Sequence, residues 1–123
     1  MRLLTGATTG SPTPPSARLF AAWAHFTVNG GTPVIQAQEN VLSVTDNGVG
    51  DFTFTWQRQF AATAYAVVYA SWLVLTSRTA TGWMMLHHDA RPTVSSVRTQ
   101  HLDTNTIVAM DPPVGCIAVV GRN

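Results

Sequence analysis

The sequence predicts an all-β fold: an antiparallel β-sandwich, jelly-roll-like, over residues 19–123, behind an extended N-terminal arm of residues 1–18. Three observations predict it. Apolar residues recur with period two, as in Phe52-Thr53-Phe54-Thr55-Trp56, the mark of a half-buried strand. About eight or nine short runs of this kind are separated by Gly, Pro, Asn and Asp turns. No run carries a convincing helical period.

The hairpin over residues 40–56 organises the rest. Its second arm sets Phe52, Phe54 and Trp56 on one face and Thr53, Thr55 and Gln57 on the other. In its first arm, Leu42 and Val44 alternate with Val41, Ser43 and Thr45. Asp46, Asn47, Gly48, Val49, Gly50 and Asp51 connect the two. Asn47-Gly48 is a turn pair because both residues tolerate positive φ. The connection is longer than a two-residue turn, which places Gly50 in a bulge or a second turn. A slip of one residue would turn three aromatics into water, so the hairpin sets the register.

The other elements follow in order. The arm carries Leu3, Leu4, Pro12, Pro14, Pro15 and Arg18 among Gly, Ser and Thr, with no hydrophobic period. It is expected to lie extended across a neighbouring subunit. Residues 19–28 read as a strand that is apolar on both faces, hence covered on both sides. Residues 29–33 turn, and 34–38 form a short strand. Residues 59–64 cross over. Residues 64–77 are rich in aromatic and β-branched residues and read as a strand bent near Ala70-Ser71. A polar turn at 77–82 leads to a strand at 83–88, closed by 89–92. Residues 93–102 alternate Val94, Ser96, Arg98 and Gln100 against Thr93, Ser95, Val97, Thr99 and His101, a surface strand with one polar face. Residues 106–110 are short, Asp111-Pro112-Pro113 interrupts, and 114–120 form a last apolar strand.

At 123 residues the chain is one domain, large enough to fold without disulfides. Its single cysteine, Cys116, lies in an apolar run and is expected to be a buried small hydrophobe. The net charge is +1, from seven scattered arginines, no lysine and six acids. Nucleic-acid binding calls for clustered basic residues and is not expected. Neither a membrane span nor a signal peptide is expected. Charged residues make up only 11% of the chain. Much weakly polar surface is therefore expected to be covered, most simply by copies of the chain or a larger assembly.

No catalytic constellation, cofactor or metal site is expected. Gly48-Val49-Gly50 is too short for a nucleotide fingerprint, and no helix follows it. Cys116 has no evident histidine partner. His87-His88-Asp89 is the best cluster of ligand-type residues, but neighbours on a regular strand point to opposite faces. His87 and Asp89 could share a face, and copies about a threefold axis could pool ligands. Otherwise these residues make hydrogen bonds at a strand end. Asp46 and Asp51 are expected to cap local backbone N–H groups, and with Asn47 they match no calcium loop. Trp23, Trp56, Trp72 and Trp83 read as core or interface rather than a sugar-stacking platform.

Residues 22–26 (Ala-Trp-Ala-His-Phe) and 38–53 resemble a structural module of tailed-bacteriophage virion proteins, of the tail-fibre-end and small capsid-decoration type. The match is sharp over 40–53, through Asn40, Val41, Ser43, Val44, Thr45, Asp46, Asn47, Gly48, Gly50, Asp51, Phe52 and Thr53. Tyr65-Ala66-Val67-Val68 and Ser95-Ser96-Val97-Arg98 also fit, while Thr27 stands where the pattern usually has Asn. The resemblance implies a β-rich, trimeric virion component without catalytic residues, made in the host cytoplasm and placed on the particle surface. Fibre modules usually end a long chain. A start at Met1 with only a short arm is expected instead for a homotrimeric capsid decoration (cement) protein. Leu3, Leu4, Pro12, Pro14, Pro15 and Arg18, with the subunit faces, would then grip the major capsid protein or other virion proteins. The alternative is a tail-fibre or receptor-binding tip protein whose loops, such as 78–82 and 89–93, contact a host surface receptor.

Overall fold

A computed structural model describes residues 20–72, 82–103 and 106–121, the side chains at 71, 72, 82 and 83 excepted. The arm, the end of the long strand reading at 73–77 and the turn at 78–81 lie outside the described residues. The described chain is all β. Its strands are β1 (Ala22–Asn29), β2 (Thr32–Glu39), β3 (Val41–Gly48), β4 (Asp51–Trp56), β5 (Ala66–Trp72), β6 (Gly82–Leu86), β7 (Ser96–Asp103) and β8 (Val114–Val120). They form two antiparallel four-stranded sheets. Sheet I runs β2-β1-β8-β5 and sheet II runs β3-β4-β7-β6. The chain changes sheet after β2, β4, β5 and β7, so only β1-β2, β3-β4 and β6-β7 are sequential pairs within one sheet. Among the described residues no helix is long and apolar enough to cross a membrane.

Alternation puts one face of each strand into the space between the sheets. Phe26 of β1 stands edge-on to Phe52 and Phe54 of β4, with ring centroids 5.8 and 5.2 Å apart, a geometry aromatic quadrupoles favour. Ala22, Ala24, Ile117 and Val119 fill this layer from sheet I, and Val41, Met84 and Val97 fill it from sheet II. At one end Trp56 meets Phe60 edge-on at 5.4 Å, and Phe60 stacks on Tyr65 at 4.6 Å. The Tyr65 hydroxyl lies 2.8 Å from the Thr93 carbonyl and 3.0 Å from that of Ser96, which ties the 59–65 crossover to the start of β7.

The hairpin forms as read, with Phe52, Phe54 and Trp56 buried, but two details differ. The β3–β4 register shifts between Val41 and Ser43. Val41 is therefore buried and Leu42 is 64% exposed, because an inserted residue reverses the alternation. The turn is also tighter than expected. Gly48 pairs with Asp51, leaving Val49-Gly50 as the loop, and the second irregularity falls between Asp46 and Gly48. Gly48 and Gly50, not Asn47, take positive φ. Gly50 is buried, and a Cβ there would sit 2.5 Å from the His101 carbonyl oxygen and 2.7 Å from that of Met110. Only glycine fits.

Asn40 carries the chain from sheet I to sheet II at φ 57°. Its amide donates to the carbonyls of Ala21 and Arg58, and its Oδ1 accepts the Arg58 N–H at 2.6 Å. This buried corner residue satisfies the backbone of two neighbouring segments at once.

β7 has the two faces read for it, Ser96, Arg98 and Gln100 outward and Val97, Thr99 and His101 buried, but it is an inner strand of its sheet, between β4 and β6. Other readings are corrected. Cys116 is exposed, because Gly115, Ile117 and Val119 take the inward positions of β8 and leave it facing out. Residues 106–110 contribute a single bridge, Ala109 to Leu102, rather than a strand. Trp56 is core and Trp23 is half-buried, while the side chains of Trp72 and Trp83 fall outside the described ones. His101 is fully buried, and neither ring nitrogen has a hydrogen-bond partner among the described residues. Burial pushes its pKa down to about 4, against the opposing pull of the Asp111 carboxylate.

Candidate functional site

The two sheets present outer faces of different chemistry. On β1, β8 and β5 of sheet I the outward positions are Trp23, His25 and Thr27, then Cys116, Ala118 and Val120, then Ala66, Val68 and Ala70. The edge strand β2 adds Glu39 opposite Trp23 and Gln36, whose amide donates to the Thr27 hydroxyl at 3.0 Å. The register lines them up in rows. Val68 faces Ala118, which faces Trp23; Ala70 faces Cys116, which faces His25. No Asp, Glu or Arg occurs anywhere in β1, β5 or β8. An antiparallel sheet that faces water ordinarily carries polar residues on that side. Phe20, Trp23, His25, Cys116 and Ala118 line an open groove of about 360 Å³ on this face. Cys116 thus has a cross-strand histidine after all, far away in sequence and brought near only by the β1–β8 pairing.

Sheet II carries Thr45 and Asn47 of β3, Asp51, Thr53 and Thr55 of β4, and Arg98 and Gln100 of β7 on its outer side. Four of these groups, Asn47, Asp51, Thr53 and Arg98, bond to one another. Arg98 donates to Asp51 twice, from Nε at 2.8 Å and Nη2 at 2.6 Å. The Asn47 amide donates to Asp51 Oδ1 at 3.2 Å and to the Thr53 hydroxyl at 2.8 Å. Hydrogen bonding from Arg98 above all, with help from Asn47 and His87, holds the Asp51 carboxyl below its ordinary pKa despite partial burial. Of the two turn acids, Asp46 caps as expected, accepting the Gly48 N–H at 2.9 Å. Asp51 does something else: its strongest partner is a side chain on the neighbouring strand. The Gly50 N–H in turn donates to Asp111 Oδ1 at 2.7 Å, which anchors the hairpin tip to the segment before β8.

At the β6 end of this face the chain turns. β6 stops at Leu86. The His87 N–H donates to the Arg98 carbonyl at 2.9 Å, and the His87 carbonyl accepts the Ala90 N–H at 3.2 Å. His87 Nε2 lies 3.6 Å from Asp51 Oδ2, and His88 Nε2 lies 2.8 Å from Asp89 Oδ2. The two imidazoles stack, with centroids 4.7 Å apart and planes 18° from parallel. The expectation that they point to opposite faces fails because the strand has already ended.

Of the residues singled out from sequence, Asp46, Asn47, Gly48, Gly50 and Asp51 come together at one edge of sheet II, with Phe52, Phe54 and Trp56 beneath them in the core. Leu3, Leu4, Pro12, Pro14, Pro15 and Arg18 lie outside the described residues. Arg98 as partner of Asp51, the core residue Phe60 and the corner role of Asn40 were missed, since no short-range pattern marks them. The uncharged composition of β1, β5 and β8 was legible as three charge-free segments. No family model, no curated protein and no solved structure matches this chain.

Proposed function

We propose that this chain is a non-enzymatic structural subunit of a tailed-bacteriophage particle, a capsid decoration (cement) protein that associates with itself as a homotrimer through the outer face of sheet I. The observation that carries the reading is that face: three adjacent strands without a formal charge, with Val68 and Val120 exposed at 54% and 48%. A contiguous apolar surface of this kind on a small domain marks a contact. The phage setting and the number three rest on the resemblance of residues 40–53. Strand spacing and rise give the four-stranded face roughly 450 Å². Stable interfaces bury about 800 Å² per partner, so the face alone falls short. In this reading the arm supplies the remainder, with Leu3, Leu4 and the prolines laid over a neighbour or the particle. No cofactor, nucleic acid or membrane takes part. The acids at the hairpin turn serve the fold: Asp46 caps the turn and Asp51 is locked to Arg98.

Light scattering on the purified chain tests self-association, with an expected mass of three chains. Adding the chain, or a version lacking residues 1–18, to particles stripped of it tests attachment: the full chain is expected to bind and the truncated one to lose binding while still folding. A second reading has its own support. The exposed β6–β7 loop with His88 and Asp89 lies on the polar sheet, away from the self-association face, where a receptor-binding tip would need it. Antibody labelling of intact particles decides between the two. Label over the capsid supports decoration, and label at the tail tip replaces it with receptor binding.

A further inference from the structure

The turn after β6 gathers three metal-ligating side chains. One ligand atom from each of His87, His88 and Asp89 lies within 4.8 Å of the other two. Donors about 2.1 Å from a shared ion sit roughly 3.4 Å apart in tetrahedral geometry. The widest separation therefore has to close by about 1.4 Å at most, and the His88 Nε2–Asp89 Oδ2 pair at 2.8 Å has to open slightly. The stacked rings have to tilt so that their in-plane lone pairs converge, all by χ rotation of side chains in a turn. The sequence objection to this cluster assumed a regular strand; the turn at His87 removes it.

A second feature points the same way. Asp51 stands behind His87, its Oδ2 3.6 Å from Nε2, and two hydrogen bonds from Arg98 hold it there. At this separation the carboxylate stops short of a hydrogen bond, but its charge favours the tautomer with the proton on the nitrogen that faces it. Closing the last few tenths of an ångström would make it the orienting partner of a ligating histidine. With the proton on Nε2 toward Asp51, the lone pair of His87 is on Nδ1. That nitrogen faces Asp89, whose backbone N–H it accepts at 3.2 Å. Binding exchanges this contact, and the 2.8 Å contact between His88 Nε2 and Asp89 Oδ2, for the ion.

We propose that His87, His88 and Asp89 form a site for one divalent transition-metal ion of the zinc class, with Asp51 as the group that orients His87. Two imidazoles and one carboxylate suit zinc, nickel or copper rather than magnesium or calcium. The side chains of His88 and Asp89 are 67% and 72% exposed, so water completes the coordination. The site belongs to the polar sheet and does not depend on the assembly proposed above.

Titration of the full-length chain with zinc, followed by calorimetry, tests it; cobalt absorption serves as a second probe. The expected result is saturable binding of one ion per chain. Binding weakens by at least ~100-fold in His88→Ala and Asp89→Ala, both exposed and compatible with folding, and by about 10-fold or more in Asp51→Asn. His25→Ala and Cys116→Ser leave it unchanged. Absence of saturable binding overturns the proposal, as does full affinity in His88→Ala combined with Asp89→Ala. So does a thiolate-to-cobalt charge-transfer band that disappears in Cys116→Ser, which would move the ion to the Cys116–His25 pair on sheet I.

Discussion

Sheet I and sheet II share one core, yet their outer faces are finished differently. On sheet II the side chains complete each other: Arg98 with Asp51, Asn47 with Asp51 and Thr53. Such a face is at rest in water. On sheet I the outward rows of Ala66, Val68, Ala70, Cys116, Ala118 and Trp23 offer almost nothing to bond with. Such a face reaches its lowest free energy against another surface. The lesson is that alternation says which side chains leave the core but not what they meet outside. Formal charge separates β1, β8 and β5 of sheet I, which have none, from β3, β4 and β7 of sheet II, which carry Asp46, Asp51, Arg98 and Asp103.

Four experiments break or sharpen this contrast. The largest effect strikes the layer both sheets share. Phe54→Ala removes the ring that meets Phe26 across the sandwich and is expected to cost about 3–5 kcal/mol, read as a lower urea midpoint. Next comes the contrast itself. Val68→Glu places a carboxylate on the uncharged face, in its edge strand β5 beside Ala118, and is expected to weaken self-association by ~100-fold or more, since burying an unpaired charge costs at least about 3 kcal/mol. Thr53→Glu on sheet II is the control and leaves the mass distribution unchanged. Equal effects of the two substitutions would erase the proposed difference between the faces.

The third effect depends on pH. His101 is neutral in the folded chain, its pKa lowered from 6.5 to about 4. As pH falls, the unfolded chain takes up this proton first, so stability is full above pH 6.5 and is lost on the way down to about pH 4. A decline on the order of 3 kcal/mol across that window is expected, and His101→Leu should flatten it in denaturant titrations at stepped pH. The smallest effect belongs to Asp51. Its folded pKa lies below the ordinary 3.8, so its contribution is present above that value and is lost as pH falls through the lower, folded one. Asp51→Asn should reduce stability at neutral pH by less than Phe54→Ala does, and should remove part of the acid-induced loss below pH 4 seen by circular dichroism.

Much of the fold could be read along the chain. The aromatics of β4 and the two faces of β7 follow from period two, because a strand alternates whatever its neighbours do. Where reading failed, something inserted into the alternation or ended it. The register shift after Val41 sent Leu42 outward, and the turn at His87 stacked two rings that a strand would have separated. Cys116 was misjudged for a different reason: an apolar neighbourhood in sequence mixes inward and outward positions, and only the face decides.

By itself, then, the sequence determined the eight strands, most of the turns between them and the core face of those that alternate cleanly, such as β4 and β7, since these depend on residues a few positions apart. The tertiary structure decided which strands adjoin. That choice brought Arg98 to Asp51, His25 to Cys116 and Gly50 under the His101 carbonyl. Pairings of this kind are set by how the two sheets close over a common core and by the crossings between them, and no short-range pattern encodes that closure.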